Sequence, residues 1–315
     1  MIINRRQLRI KVLQQLYAFE LDGEASMRVF EKNLDQSIEK MFDLYYYFLL
    51  LIIELRYLAE QKSIEGKTKH IPSENDLNPS LRFINNRLIK SLSENPVLAL
   101  RLQERGISWA NEMDLVKSLF KKIREEDFYG EYLDSSDNSV DNDVKFLIEL
   151  FKKHIINNEN IYTYFEDQSI FWIDDIDLVA SMIIKSFKRS RETEGQVEIL
   201  DLFKEEKEER EFYKKLFKEA VLRKEEIDGI IRQHTNNWDI ERIALMDILL
   251  MRLAVTEAIV FKSIPVKVSL NEYIELAKQY STNKSNSFVN GILDKSFQEL
   301  KKSGKIEKSG RGLIE

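Results

Sequence analysis

The chain has 315 residues, 43% of them hydrophobic and 32% charged, with a formal net charge of −6. That length allows one large core or two ordinary ones, and the balance of apolar and charged residues excludes a disordered chain. It has no cysteine, which excludes disulfides, thiolate metal sites and cysteine nucleophiles, and only 10 Gly and 4 Pro, which favours long helices over strands and turns.

The first predicted helix runs from about Arg5 to Leu21, with Asn4 placed to cap it. Leu8, Val12, Leu16 and Phe19 form one apolar stripe, and Ile10, Leu13 and Tyr17 a second. A helix apolar on two sides is deeply buried or meets both its own core and a partner. A second helix is predicted from about Met27 to Gln61, with room for an internal break. Its run Leu44–Ile53 is flanked by Asp43, Glu54 and Arg56 and falls short of the ~20 apolar residues of a membrane span. It reads as a buried helix or one face of a partner interface. No secretory signal is visible at the amino terminus, so the expected location is the cytoplasm, with no membrane association.

The polar stretch Lys62–Pro79 reads as a long loop. Helices are predicted over Leu81–Ser93, Pro96–Leu102, Ser108–Glu126, Val144–Asn157 and Ile176–Arg189, with a loop at Asp134–Ser139 and a break at Thr193–Gly195. A charged helix follows near Leu200–Arg223, then a shorter one near Lys224–His234. From Ile240 to Phe261 the chain is nearly all apolar, broken by Arg242, Asp247, Arg252 and Glu257; charges on so buried a helix must reach water, pair, or meet a partner. Ser269 and Glu272 have capping-box spacing and predict a helix from there to Tyr280. Ser281–Lys284 reads as a short loop and Ser285 as the start of the last helix. The Lys- and Gly-rich end, from Lys301, is expected to fray. The expected fold class is all-α.

No phosphate-loop, dinucleotide, zinc-protease or serine-hydrolase motif is present. His70, His154 and His234 are far apart, without metal-ligand spacing, and read as surface or capping residues. The acidic runs Asp174-Asp175-Asp177 and Glu205-Glu206 read as solvated helix faces. The chain is not expected to be an enzyme, nor to hold a cofactor or metal.

The net charge weakly opposes nucleic-acid binding, but screening makes local clusters matter more than the total. Arg5, Arg6 and Arg9 share one side of the first helix, and Lys11 lies on another. Arginine suits phosphate because its planar fork donates two parallel hydrogen bonds. Asn283–Phe288 joins a lysine, small polar residues and an aromatic at a predicted helix start, which suits an anion and a stacked base. Equally, Ser285 caps that helix and Phe288 packs in the core.

The stretch Trp238–Phe297 resembles the end of NusB-family antitermination proteins. The matching pieces come in order: Trp238 with Arg242; Asp247; Met251-Arg252-Leu253-Ala254 and Glu257; Ile264-Pro265; Asn271-Glu272 with Ile274 to Lys278; and Phe288 to Leu293. The Arg-Arg-x-x-Arg-x-x-x-Leu-Gln-x-Leu-Tyr pattern of Arg5 to Tyr17 resembles the first family helix. The resemblance implies a NusB-like helical bundle built from residues 1–22 and 203–302, a large helical insertion at 23–202, and a flexible tail at 303–315. It implies an RNA-binding transcription antitermination factor for ribosomal RNA operons. The expected partners are boxA-type RNA, the ribosomal protein NusE, and an elongation complex of RNA polymerase and other Nus factors. The RNA contacts it implies fall on Arg5, Arg6, Arg9, Lys284 and Phe288, with Lys11 and Ser285 counted beside them, and the NusE contacts on Tyr17, Glu241 and Asp247. Family members commonly have an acidic residue where Lys284 stands; lysine there strengthens phosphate contact. Lys284 and Phe288 are expected to face the arginines of the first helix. Two other readings remain: a NusB-like protein-interaction module with weak or no RNA binding, and a partial relative of the NusB-like domain of RNA cytosine methyltransferases, which use a cysteine this chain lacks.

Overall fold

Asn4 opens the first helix as its spacing predicts. Its side chain accepts from the backbone N–H groups of Arg6 and Gln7, while Gln7 accepts from the Asn4 backbone in return, closing a capping box. Helix α1 runs Arg5–Asp22 and ends at Gly23, whose φ of 65° is the left-handed conformation glycine adopts freely. The computed structural model describes residues 1–24, 26–235 and 243–313, and among these there is no β-strand.

Helix α2 is continuous over Met27–Lys67, so the first residues of the predicted long loop are helical. In its segment Leu44–Leu55 eight of twelve positions are buried and the other four half-buried, which explains an apolar run too short for a membrane. No helix among the described residues is long and apolar enough to cross one. Then come α3 (Glu74–Leu77), α4 (Arg87–Ser93), α5 (Pro96–Arg105), α6 (Met113–Glu125), α7 (Asp127–Asp134) and α8 (Val140–Leu150), which continues into a π-type turn over Phe151–Ile156. Helix α9 (Glu159–Gln168) has no counterpart in the sequence reading, although Asn158 caps it by accepting from the Asn160 and Ile161 N–H groups. Helix α10 covers Ile176–Arg189.

Helices α11 (Glu206–Leu222), α12 (Lys224–Gln233), α13 (Leu245–Val260), α14 (Val266–Tyr280) and α15 (Asn283–Lys302) follow. The Ser269–Glu272 capping box is not formed. Pro265 starts α14 instead, its carbonyl accepting from Val268 and Ser269 N–H. Ser269 is thus fully buried inside the helix, with its hydroxyl free to serve another element. Likewise Thr282, not Ser285, caps α15.

The chain divides into two compact units. One takes Met1, Ile3–Ile38 and Leu202–Glu315; the other takes Ile2 and Glu39–Asp201. In the first, α13 is the central helix and packs against α1, α11, α12, α14 and α15. Every residue from Leu249 to Ala258 on it is buried. In the second, α8 packs on α4 and α10, and the interior is aromatic. Phe48, Trp109, Phe151, Phe165 and Trp172 are all buried there.

Candidate nucleic-acid interface

A helix buried on all sides cannot leave a charge unmatched, because an isolated ion in a low-dielectric interior is strongly disfavoured. Glu257 on α13 has no exposed surface. Arg9 of α1, 3% exposed, grips it with two parallel hydrogen bonds, Nε to Oε2 at 2.7 Å and Nη2 to Oε1 at 2.8 Å. From α14, the Ser269 hydroxyl donates to the same carboxylate at 2.7 Å and the Tyr273 hydroxyl at 3.3 Å. All of these groups donate, so the carboxylate is saturated. Burial opposes the Arg9 charge, but Glu257 outweighs it and raises the guanidinium above its ordinary value. Burial, reinforced by Glu257, also pushes the Tyr273 hydroxyl well up, which keeps it a donor.

One turn back along α1, Arg6 pairs with Glu272 through Nε to Oε2 at 2.9 Å and Nη2 to Oε1 at 2.8 Å. That hydrogen bond, with the charges of Arg9 and Arg6, holds the Glu272 carboxyl below its ordinary value against burial. Arg5 lies over the Phe212 ring at 5.1 Å and reaches exposed Glu208 at 3.8 Å. The Arg5 and Arg6 side chains are 39% and 46% exposed, so their charges meet solvent.

Arg5, Arg6, Arg9 and Glu272 border a cleft of about 620 Å³ between the start of α1 and the start of α14. Four arginines, Arg5, Arg6, Arg9 and Arg311, line it against a single carboxylate, Glu272, with Ile264, Pro265 and Val268 as an apolar floor. With Arg9 neutralised by Glu257 and Arg6 paired with Glu272, Arg5 and Arg311 supply the positive charge that this surface carries despite the chain's negative total.

The structure divides the remaining expected residues. Lys11 is 2% exposed and Arg9 is committed to Glu257, so neither offers its charge to a ligand on the surface; α1 is buried on more than one side here, which takes in both positions. Tyr17 is half-buried on α1. Asp247 is 4% exposed and accepts from the Ser281 hydroxyl at 2.5 Å, which ties the first turn of α13 to the end of α14. Ser285 and Phe288, in the first turns of α15, are both half-buried. Lys284 belongs to α15, but its side chain, like all of Trp238, Glu241 and Arg242, lies outside the described residues.

Two carboxylates of α13 anchor neighbouring elements at different heights along the helix. Arg9 reaches Glu257, whereas the approach to α15 reaches Asp247, ten residues earlier. At 1.5 Å per residue the two anchor points are about 15 Å apart. Sequence reasoning missed Glu272 and Arg311 as cleft residues. Glu272 looked like a cap, and Arg311 sat in an end expected to fray. Glu257 was visible as a charge needing a partner.

A second network stands farther along α1. Arg252, 1% exposed, is held by Asp228 of α12 through two bonds at 2.8 and 2.7 Å and by Glu20 of α1 at 2.6 Å; Lys224 also reaches Glu20, at 2.6 Å. Burial opposes the Glu20 charge, but these two cations win and hold its carboxyl below the ordinary value. No group of three or more His, Asp or Glu among the described residues is arranged to hold a metal.

Residues 177–298 match the NusB family. The transcription antitermination protein NusB of Salinibacter ruber is 40% identical over 138 residues, covering 42% of this chain and 86% of that protein. The chain belongs to the NusB family of antitermination factors. The NusB proteins of Chloroherpeton thalassium (44% over 106 residues, 34% of this chain and 50% of that protein) and Alkaliphilus oremlandii (44% over 94 residues, 30% and 68%) are similar to it as well. No solved structure matches. The NusB match takes in Glu257 and Glu272 but not α1 or the chain beyond 298. The arginines of the cleft therefore lie outside the matched segment, and the carboxylates that position them lie within it.

Proposed function

We propose that this chain is an RNA-binding antitermination factor for ribosomal RNA operons. It takes boxA-type single-stranded RNA in the cleft at the start of α1 and acts with the ribosomal protein NusE inside an RNA polymerase elongation complex that carries other Nus factors. The observation that carries this reading is the excess of arginine over carboxylate in that cleft on a chain of negative total charge. Arg5 and Arg6 supply phosphate contacts, since their forks are exposed and a phosphate can compete for Arg6 with Glu272. Arg9 positions them: by anchoring α1 to α13 and α14 it sets the direction in which the first turn projects. Lys284, Ser285 and Phe288 form a second contact along the strand. A separation of about 15 Å along α13 is spanned by a few nucleotides of extended RNA, so one short RNA engages both.

Tyr17 and Asp247, with Glu241, mark the NusE side of the bundle. Tyr17 makes the direct contact and buried Asp247 maintains the local geometry.

The test is a binding assay with purified NusE, comparing a boxA-type RNA with a scrambled RNA of equal length. The expected result is preference for the boxA-type RNA, enhanced by NusE, with the enhancement lost in Tyr17→Asp. Binding of NusE but of neither RNA supports instead a protein-interaction module.

A further inference from the structure

The chain beyond α15 leaves the matched NusB segment behind, yet it is bound tightly to the bundle. Ser309 N–H donates to the Lys262 carbonyl at 3.0 Å and the Lys308 ammonium to the Phe261 carbonyl at 3.0 Å. Lys262 returns an ion pair to Glu307 at 2.6 Å, and Ile306 is 9% exposed. Gly312 is buried against the α13–α14 connection. A Cβ placed on it would stand 1.9 Å from the Lys262 carbonyl oxygen, a distance no side chain tolerates. These contacts fix the two residues between Ser309 and Gly312, Gly310 and Arg311, in one place beside the arginine cleft, which exposed Arg311 lines. Among the described residues Arg311 forms no ion pair.

We propose that residues 305–313 are a carboxy-terminal strap that adds Arg311 to the RNA-binding cleft, as a phosphate contact that completes the one made by Arg5 and Arg6. The strap serves the RNA reading above and rests on it. Its chemistry follows from its neighbours. Arg6 is shared with Glu272, and Arg9 is consumed by Glu257. Of the four arginines, Arg5 and Arg311 are the two that hold no bidentate carboxylate among the described residues. A polyanionic strand fits this pair because successive phosphates present the same charge to each side of the cleft, whereas a single carboxylate ligand would satisfy only one. Gly312 is what lets the strap lie flat enough for Arg311 to arrive.

The experiment measures anisotropy of an end-labelled single-stranded boxA-type RNA with the full chain across a salt series. Four variants are compared: Arg5→Ala, Arg311→Ala, Arg311→Lys and Gly312→Val. A phosphate contact removed from a single-stranded complex lowers the log–log salt slope by about 0.7 and weakens binding roughly 3- to 10-fold at low salt. Arg311→Ala should do this, Arg311→Lys should recover the slope, and Gly312→Val should match Arg311→Ala by displacing the strap. Unchanged affinity and slope in Arg311→Ala, while Arg5→Ala weakens binding, overturns the strap and leaves the cleft standing. No effect from either variant, or no binding by the unmodified chain, overturns both. Circular dichroism on each variant excludes loss of fold as the cause.

Discussion

In the first unit the guanidinium groups of Arg9 and Arg252 are buried against carboxylates, whereas around Trp109 in the second the interior is a set of rings. Trp109 is fully buried, donates its indole N–H to the Tyr47 carbonyl at 3.0 Å, and lies 4.9 to 5.9 Å from the rings of Tyr47, Tyr164 and Phe165. The two interiors do different things. Aromatic packing stabilises chiefly by area, with edge-to-face rings adding a smaller geometric preference. A buried ion pair adds little net stability, because desolvation offsets the attraction, but it accepts only one geometry. The unit with the arginine cleft is the one whose first helix is fixed in rotation and register by two such pairs, at Glu257 and at Arg252 with Glu20.

That contrast can be broken most forcefully by two substitutions of like size. Glu257→Ala removes the bidentate partner of buried Arg9, leaving it a long 3.5 Å contact to Glu272, and should cost about 3–5 kcal/mol. Trp109→Ala opens a large cavity and should also cost about 3–5 kcal/mol. The first should additionally weaken RNA binding by the folded fraction, because α1 loses its anchor, and the second should not. Urea unfolding with hydrogen exchange locates each loss, at α1 and α14 for the former and around Tyr47 and Tyr164 for the latter. Equal effects on RNA binding would mean the buried pairs have no orienting role.

A smaller effect sharpens the same point. Arg6 holds Glu272 below its ordinary value, so the carboxylate stabilises the fold above about pH 4.3. That contribution fades as pH falls through the lowered folded value. Glu272→Gln should flatten this acid-side loss, by under about 1 kcal/mol because Arg6 is half exposed and screened. The same change frees Arg6 and should tighten RNA binding a few-fold. A weakened complex would show that Glu272 aims Arg6 rather than competing for it.

The helices were legible because their signals are local. Asn4 ahead of Arg5, Pro96 at a helix start, and the nearly unbroken apolar run of α13 each state an element within a few residues. The cleft was legible only in part. Arg5 and Arg6 stand out as a basic helix end, but nothing near Arg9 in sequence says that Glu257, 248 residues away, will bury it. Ser269 and Glu272 had the spacing of a cap and were taken by long-range partners instead, since Pro265 begins the helix a turn earlier. The carboxy-terminal residues looked loose by composition; the carbonyls of Phe261 and Lys262 that bind them belong to a distant loop.

The most direct measurement is the salt dependence of boxA-type RNA affinity for the full chain beside the Arg5→Glu, Arg6→Glu double variant. A cleft that neutralises two or three phosphates gives a log–log slope of roughly −1.4 to −2.1, which the double variant should largely abolish together with most of the affinity, while circular dichroism stays unchanged. An equal slope and affinity in a folded double variant would contradict the account.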